Sequence, residues 1–316
     1  FYYCGEAASV KIPASVTMIG DSAFMGCKAM TEIVLPDGLT KIGNSAFERC
    51  EALMTMDIPA TVREIGYRAF FSCGNIADMS IPDGVSVIDS MLFKGCKNLK
   101  TIELPVSAAE IHNNAFEGCH SLETVEIPAS VTIIGEAAFF ECTSLKSIVI
   151  PDGVEIIEQD TFRECSSLAE VKLPDSLTMI FDSAFEGCTS LTGIVIPERV
   201  EYTGDQVFRN CESLKEVTLS ANATALKEGM FQNCSSLTSV AIPEGVENVE
   251  RETFSGCENL TSVTIPVSVT SLGESVFLHC SALTDIYYNG SESDWNGILN
   301  NAEYDLKDST IIHYSN

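Results

Sequence analysis

The sequence predicts a solenoid that is mostly β, with a parallel β-sheet along one face. Three observations support this fold class. The 13 cysteines among the 316 residues recur every 23 positions, from Cys4 to Cys280. A phenylalanine precedes each cysteine by three positions, from Phe1 to Phe277, and all 11 prolines share a single phase of the same period. A fixed period without insertions is the signature of a repeat architecture.

Each 23-residue copy reads roughly S-L-x-x-V-x-I-P-x-G-V-x-x-I-G-x-x-A-F-x-x-C. In the copy Ser144–Cys165, the alternating apolar residues of Leu145–Ile150 predict a short strand. Pro151 ends that strand, because proline cannot donate a ladder hydrogen bond, and the two residues after it predict a turn. Val154–Ile157 returns to the core as a second short extended segment. Asp160–Cys165 is too short for an isolated helix, so we expect one helical or 3₁₀ turn held by packing.

Stacking of these copies sets the domain organisation. Equivalent residues of adjacent copies would lie ~4.8 Å apart in one parallel sheet. A Leu/Ile ladder within a period of about 20 to 29 residues favours a leucine-rich-repeat solenoid, here an α/β solenoid wound as a right-handed superhelix. We therefore predict one solenoid of thirteen copies over residues 1–288, the first copy being partial, and a C-terminal cap over residues 289–316.

The phenylalanine and cysteine positions predict the core. One aromatic and one small apolar side chain per copy, in register, are best explained by packing between stacked copies. This structural core ladder comprises Phe24, Cys27, Phe47, Cys50, Phe70, Cys73, Phe93, Cys96, Phe116, Cys119, Phe139, Cys142, Phe162, Cys165, Phe185, Cys188, Phe208, Cys211, Phe231, Cys234, Phe254, Cys257, Phe277 and Cys280.

The cysteines predict a series of reduced, buried thiols rather than a disulfide framework or a row of metal sites. Thirteen is an odd number, so at least one cysteine could not pair within the chain. Stacked neighbours ~4.8 Å apart satisfy the Cα distance of a disulfide, but their parallel Cβ vectors do not converge to the required ~3.8 Å. No C-x-x-C or C-x-x-H spacing of the zinc-site type occurs. We expect the thiols to react slowly with bulky reagents.

The sequence supports a prediction for each end of the stack, where the core of the terminal copy would otherwise be exposed. The residues after 288 leave the period, and a helix capped by Ser291 or Ser293 would cover the last copy. The apolar residues of this cap are Trp295 and Ile298, with Leu299, Tyr304, Ile311 and Ile312. The chain begins within a copy at Phe1 without a matching cap. We therefore expect an upstream signal sequence, and self-association through the uncapped N-terminal end.

The formal net charge of −27, from 45 acidic and 18 basic residues, limits the ligands. Nucleic acids and anionic lipids need clustered Lys and Arg, so this composition excludes both. An apolar fraction of 45% argues against disorder. No stretch approaches the ~18 to 20 apolar residues of a membrane helix, so we expect no insertion of this segment. The acidity favours a partner with a basic patch.

Motifs for catalysis, cofactor binding and metal binding are absent from the sequence. It contains no G-x-S-x-G, G-x-x-x-x-G-K-[ST] or H-E-x-x-H, so we predict no enzyme and no cofactor. The segment Glu292 to Glu303 matches an EF-hand calcium loop except for its first residue. A strand is predicted before it where an EF-hand has a helix, which argues against calcium. The histidines are too dispersed to predict a metal site: His112, His120, His279 and His313.

The outward positions of the predicted sheet are the candidate binding surface. They are rich in Ser and Thr with scattered charges, which fits either a solvated face or a shallow surface for an extended partner. No aromatic row predicts a sugar platform. The candidate partner-binding residues are Glu32, Asp57, Asp78, Lys100, Glu103, Glu123, Glu126, Lys146, Glu170, Lys172, Lys215 and Glu216.

Some positions depart from the repeat. The segments Asp89–Leu92, Val106–Asn113 and Ser220–Gly229 differ most from the other copies, and each is either a site of special contacts or drift. Phe181 stands where most copies have glycine, and the sequence offers no function for it.

The repeat resembles that of the BspA-like leucine-rich-repeat family. The resemblance rests on F-x-x-C-x-S-L-x-x-[VI]-x-[IL]-P with V-x-x-I-G-x-x-A-F over roughly residues 1–288, and on Tyr288-Asn289-Gly290-Ser291 followed by Trp295 in the tail. It implies a secreted or surface-attached protein that binds host proteins or other cells, without catalytic residues. We expect a non-enzymatic recognition or adhesion solenoid that binds a protein. The alternatives are a structural spacer and a glycan-binding accessory module.

Overall fold

The structure, a computed structural model, describes residues 1–299 and 306–315. The chain divides into two compact units, Phe1–Val154 and Glu155–Asn316. Within each unit the copies contribute two kinds of strand. A front strand of three or four residues comes before the proline position, and a second-row strand of two residues comes after it. Turns connect them.

The first unit contains front strands and second-row strands in parallel pairs. Paired residues are 23 apart, as in Val10 opposite Ile33 and Met79 opposite Ile102. The front strands are Ser9–Lys11, Glu32–Val34, Asp78–Ser80, Thr101–Glu103 and Ser147–Val149, and an isolated bridge joins Glu32 to Thr55. The second-row strands are Met18–Ile19, Lys41–Ile42, Glu64–Ile65, Val87–Ile88, Glu110–Ile111 and Ile133–Ile134.

The second unit repeats this arrangement and ends in a helix. Its parallel pairs include Ile194 opposite Val217 and Val240 opposite Val263. The front strands are Glu170–Lys172, Gly193–Val195, Glu216–Thr218, Ser239–Ala241, Ser262–Ile265, Asp285–Tyr288 and Ile311–Tyr314. The second-row strands are Ile156–Ile157, Met179–Ile180, Tyr202–Thr203, Ala225–Leu226, Asn248–Val249 and Ser271–Leu272. The helix spans Glu292–Ile298.

The leucine-rich-repeat type of fold expected from the period is confirmed: the described residues of each unit form a parallel β-solenoid. The α/β label is not confirmed, because the regular structure of the described residues is nearly all strand, with this one helix. The right-handed winding stays a prediction. Alternation within the front strands places the apolar residues as expected, since Ile33 is buried while Glu32 and Val34 are exposed.

The expectation of one helical or 3₁₀ turn per copy is wrong. The amide of Cys27 does donate to the carbonyl of Phe24, three residues back, but the amide of Phe24 donates to Ala46 of the next copy at 2.8 Å. Residues with positive φ recur in this segment, such as Ser22 at 54° and Gly26 at 72°. A helix needs negative φ at every residue. The segment is therefore a chain of tight turns whose amides alternately bond within the copy and to the next copy.

The phenylalanines form stacked columns inside each unit, where a column means the equivalent residues of successive copies. The rings of Phe24 and Phe47 lie 5.3 Å apart and nearly parallel, and those of Phe254 and Phe277 lie 6.0 Å apart. No residue of the predicted core ladder is more than 6% exposed. Stacked rings at this spacing add to the stabilisation from burial alone.

The cysteine thiols are reduced, and those of the core ladder are hydrogen-bond donors as well as packing groups. The thiol of Cys50 donates to the carbonyl of Phe24 at 3.1 Å, and Cys257 makes the same bond with Phe231 at 3.2 Å. Burial raises the pKa of Cys50 to about 12, because the thiolate would lose its hydration. Cys4 is exposed.

The C-terminal helix packs on the last copies of the second unit. Ser291 is its N-cap, and the Ser291 hydroxyl and the Asp294 carboxylate each accept a bond from the other's amide. The Ser291 hydroxyl also donates to the Asp294 carboxylate at 2.6 Å, and this bond, with the one from the Ser291 amide, lowers the pKa of Asp294. Trp295 and Ile298 are 2% and 7% exposed.

The strand Ile311–Tyr314 extends the front sheet beside Asp285–Tyr288 in parallel register. The ring of Tyr288 lies 5.4 Å from that of Trp295, which ties the helix to this sheet. Tyr304, which the sequence analysis placed in the cap, lies outside the described residues.

Candidate protein-recognition surface

The front strands expose the side chains from which the candidate surface was predicted. All twelve candidate residues are exposed. Eight belong to the first unit, from Glu32 to Lys146, and four belong to the second, from Glu170 to Glu216. For eight of them the exposure follows from period-two alternation, because the residue between two exposed positions faces the core. The other four come one position earlier, directly before another exposed residue: Lys100, Glu123, Lys146 and Lys215.

The first unit has a depression of about 700 Å³ on its front sheet. Three of the predicted residues, Asp57, Asp78 and Glu103, line it together with Asp83. No lysine or arginine is among its lining residues. We call this the acidic depression.

Hydrogen bonds between neighbouring copies hold two carboxylates of the acidic depression in place. The hydroxyl of Thr101 donates to the carboxylate of Asp78 in the neighbouring strand. The carboxylate of Asp83 accepts a hydrogen bond from the amide of Val106 at 3.2 Å. Both contacts join residues 23 apart, and they leave further lone pairs on each carboxylate for a ligand. These carboxylates can therefore accept further hydrogen bonds.

Two other depressions carry charges of both signs. In the first unit, a depression of about 600 Å³ is lined by Glu32, Lys11 and Asp37 among others. In the second unit, one of about 400 Å³ is lined by Lys172 and Glu216 among others. Because each combines acids with a lysine, neither presents a field of one sign comparable to that of the acidic depression.

The other predicted residues do not line these depressions: Lys100, Glu123, Glu126, Lys146, Glu170 and Lys215. Lys146 and Glu123 bond to each other at 2.5 Å. The hydrogen bond from Lys146 lowers the pKa of Glu123. The two side chains neutralise each other, so this part of the front sheet attracts a charged partner less strongly.

Asp83 is the residue of the acidic depression that sequence reasoning missed. It follows Pro82 directly, in the turn beyond the strand, whereas only strand positions were considered. The signal was present, because Asp37, Asp152 and Asp175 occupy the same position in other copies. An acidic residue after the proline extends the charge of the sheet onto its edge.

Metal sites are not formed by the described residues, among which no three His, Cys, Asp or Glu side chains are placed to hold an ion. His112 lies between Asp89, at 3.4 Å, and Glu110, at 2.7 Å. Glu303, the last residue of the EF-hand-like segment, lies outside the described residues. Within the same described part of the chain, no helix has the length and apolar character needed to cross a membrane.

The repeated front strands, second-row strands and buried ladders define a leucine-rich-repeat protein. The family model described as BspA type leucine rich repeat region, with six copies, matches residues 1–123, 63–192, 109–237 and 204–298. The chain belongs to this BspA-type leucine-rich-repeat family, and the resemblance inferred from the repeat is confirmed.

Solved structures of bacterial leucine-rich-repeat proteins are similar to this chain. A leucine-rich repeat protein from Bacteroides ovatus is 29% identical, with a TM-score of 0.85, over 100% of this chain and 86% of its own. A leucine rich cell surface protein from Faecalibacterium prausnitzii is 32% identical, with a TM-score of 0.58, over 92% of this chain and 81% of its own. Among curated proteins, none matches this sequence. Proteins of this fold and family are generally not catalysts.

Proposed function

We propose that this chain is a non-enzymatic recognition module that binds a protein partner through its front sheet. The acidic depression is the principal contact, and the partner carries a basic patch. The observation that supports this most is the set of four carboxylates, Asp57, Asp78, Asp83 and Glu103, in one depression without a lysine or arginine. Surfaces of opposite sign accelerate encounter and select partners.

The proposal includes a secreted or cell-surface location. The F. prausnitzii protein, which is 32% identical, is described as a cell surface protein. A recognition module of this family placed at a surface would meet partners from outside the cell. Secretion of the full-length protein, detected by fractionation of the source cells, tests this part.

Binding is tested with an array of extracellular proteins and glycans, read out by biolayer interferometry. The decisive variant combines Asp57→Asn, Asp78→Asn and Glu103→Gln. It removes three charges from the acidic depression, and the amide oxygen introduced by Asp78→Asn can still accept the bond from Thr101. The matched control, Glu6→Gln with Glu136→Gln and Asp152→Asn, removes three charges from exposed positions outside the depression.

We expect a protein partner whose affinity falls at least tenfold in the depression variant and less than twofold in the control. Its affinity should also fall steeply with salt, because exposed charges are screened. Equal losses of affinity in the two variants would show that binding depends only on the net charge of the protein and not on the acidic depression. Absence of any protein ligand would favour a spacer, and binding of glycans alone would favour an accessory module.

A further inference from the structure

An aromatic patch lies on the second row of the second unit. The outward residues of three neighbouring strands are Ile156, Met179 and Tyr202, and their strands pair in register. Phe181 follows the middle strand, and its ring lies 5.6 Å from that of Tyr202. We call these four residues the aromatic patch. It belongs to a sheet separate from the front sheet, so it is distinct from the acidic depression.

Core packing does not explain this patch. The next residue of each strand faces inward, as the buried Ile157, Ile180 and Thr203 show. Tyr202 is 40% exposed, and Phe181 is only half-buried. The position of Phe181 is glycine in six other copies, which fold in the same way without a ring: Gly20, Gly43, Gly66, Gly135, Gly204 and Gly273. The ring of Phe181 therefore adds surface rather than a core contact that the repeat requires.

The surroundings of the aromatic patch are negative. Glu201 precedes Tyr202 in the chain, and Asp205 follows three residues later, beside Asp182 of the neighbouring copy. The pKa of Asp205 is raised by partial burial and by Asp182, Glu250 and Glu228, against an opposing effect of Lys227. Residues 155–316 contain 26 acidic and 8 basic side chains.

Lys227 offsets only part of that charge, through its effect on Asp205. Lys227 bonds to Glu250 at 2.7 Å, and the hydrogen bond raises the pKa of Lys227. Its charge is therefore compensated within the protein. Exposed aromatic rings within a field of carboxylates fit a ligand that is flat, cationic and partly apolar.

We propose that the aromatic patch is a second docking site, which takes an arginine-bearing segment of a protein partner. The guanidinium stacks on Tyr202 and bonds to the carboxylate of Glu201 or Asp205. Aliphatic side chains of the segment cover Met179 and Ile156. Arginine suits this site better than lysine, because its planar group stacks on a ring while its edge donates to a carboxylate.

The probe for this site is a fluorescein-labelled twelve-residue peptide of alternating leucine and arginine. One comparison peptide has lysine for arginine, and another has citrulline, which keeps the planar shape without the charge. Fluorescence anisotropy at about 150 mM salt measures each affinity, since exposed charges are strongly screened there. The variants are Phe181→Gly and Tyr202→Ala, which introduce residues found at the same positions in other copies and leave the net charge unchanged.

The matched control is Tyr67→Ala. Tyr67 is also exposed, at 37%, but the protein's own Arg68 lies over its ring at 5.8 Å, so an incoming cation is repelled. We expect Phe181→Gly and Tyr202→Ala each to lower the affinity for the arginine peptide about tenfold, while Tyr67→Ala changes this affinity less than twofold. The arginine peptide should bind at least fivefold more tightly than the lysine peptide, and the citrulline peptide should not bind.

Three results would overturn the proposal. The first is equal affinity of the arginine peptide for the patch variants and the wild type, because the charge of the protein alone would then explain the binding. The second is equal affinity for the lysine peptide, which rules out stacking. The third is a dimer in equilibrium sedimentation that Phe181→Gly dissociates, which makes a second copy the occupant. Because the arginine peptide is also a possible ligand of the acidic depression, the patch variants are measured in the background Asp57→Asn, Asp78→Asn and Glu103→Gln, so that failure at the aromatic patch leaves the function proposed above untouched.

Discussion

The thiol of Cys96 donates a hydrogen bond to the main-chain carbonyl of Phe70, in the preceding copy, across 3.1 Å. The same carbonyl accepts the amide of Cys73 at 3.1 Å, so both of its lone pairs are used. A column expected to act as small apolar filler therefore also links each copy to the one before it.

Replacement of Cys96 by alanine should lower the free energy of unfolding by about 1 to 3 kcal/mol, because it removes this bond and leaves a small cavity. Urea unfolding followed by circular dichroism measures the change. The control is Cys4→Ala, at an exposed cysteine, for which we expect less than about 0.5 kcal/mol. Equal effects of the two variants would mean that neither the hydrogen bond nor the packing of the Cys96 thiol contributes to stability.

The protein should lose stability in alkali. Burial raises the pKa of Cys96 to about 12 from an ordinary value of 9.0. Below pH 9 the thiol is protonated in both states and its contribution is complete. Between pH 9 and 12 the unfolded state loses the proton and the folded state keeps it, so stability falls by up to about 1.4 kcal/mol per pH unit for this thiol. Urea midpoints measured from pH 8 to 10.5 should fall less steeply in Cys96→Ala.

The turn segments contain a position at which replacement by glycine should stabilise the protein. Arg49 is exposed and has φ of 58°, and the equivalent residues Gly26 and Gly95 are glycines at 72° and 76°. Positive φ costs a residue with a Cβ roughly 1 kcal/mol, which glycine avoids. Arg49→Gly should therefore be about 1 kcal/mol more stable than Arg49→Ala in thermal or urea unfolding. Both variants remove the same charge, so a null difference would show that this turn carries no strain.

The irregular copy after Ser220 should accept a larger side chain. A cavity of about 10 Å³ is lined by Ser220, Ala223, Leu226 and Met230, among others. The residues equivalent to Ala223 in the adjacent copies are valines. Ala223→Val should add about 0.5 to 1 kcal/mol by filling this space. Ala108→Val is the control, because Ala108 is completely buried and does not border the cavity. We expect it to be neutral or destabilising, and a gain there of equal size would contradict the cavity argument.

Neutralisation of Asp205 should stabilise the protein at neutral pH. The pKa of Asp205 is raised by partial burial and by Asp182, Glu250 and Glu228, so its charged form is disfavoured in the fold. Asp205→Asn removes this cost. Its advantage should be present at pH 7 and disappear as the pH falls below the ordinary aspartate pKa of 3.8, where both states of the wild type are protonated.

The contrasting variant for Asp205 is Glu228→Gln. The bond from Arg251 lowers the pKa of Glu228, so the charged form is favoured in the fold. Glu228→Gln should therefore lower the urea midpoint at pH 7, and this difference should vanish in acid. If the two variants shifted the midpoint in the same direction, these opposite pKa shifts would not govern stability.

Most of the fold could be predicted from the 23-residue period of the sequence. It placed Phe24, Phe47 and Phe70 in one column and predicted which strand residues face outward, because stacking of equal units leaves little freedom. The turns were misjudged for a physical reason. The spacing of Phe24 and Cys27 fits the i to i+3 bond of a 3₁₀ helix, and the same bond occurs in a chain of tight turns. The two differ in the sign of φ at residues such as Arg49 and in the alternate bonds to the next copy. Glycines at the position of Arg49 in other copies, such as Gly26, indicate the positive φ, but nothing in one copy indicates the bonds to the next.

The candidate surfaces were harder to predict from the sequence than the fold. Asp57, Asp78 and Glu103 could be assigned to the outward face, but their grouping with Asp83 depends on how the strand continues into its turn. The approach of Phe181 to Tyr202 depends on side-chain direction, which a period of 23 residues does not specify.

The alternating amides of the turn segments have an evolutionary consequence. Because Phe24 bonds to Ala46 as Phe47 bonds to Ala69, the joint between any two such copies uses the same main-chain atoms. These bonds involve no side-chain chemistry, so they survive almost any change of outward residue. A gene of this kind can lengthen or shorten by unequal recombination in whole 23-residue steps, and each product inherits intact joints together with a new combination of surface residues.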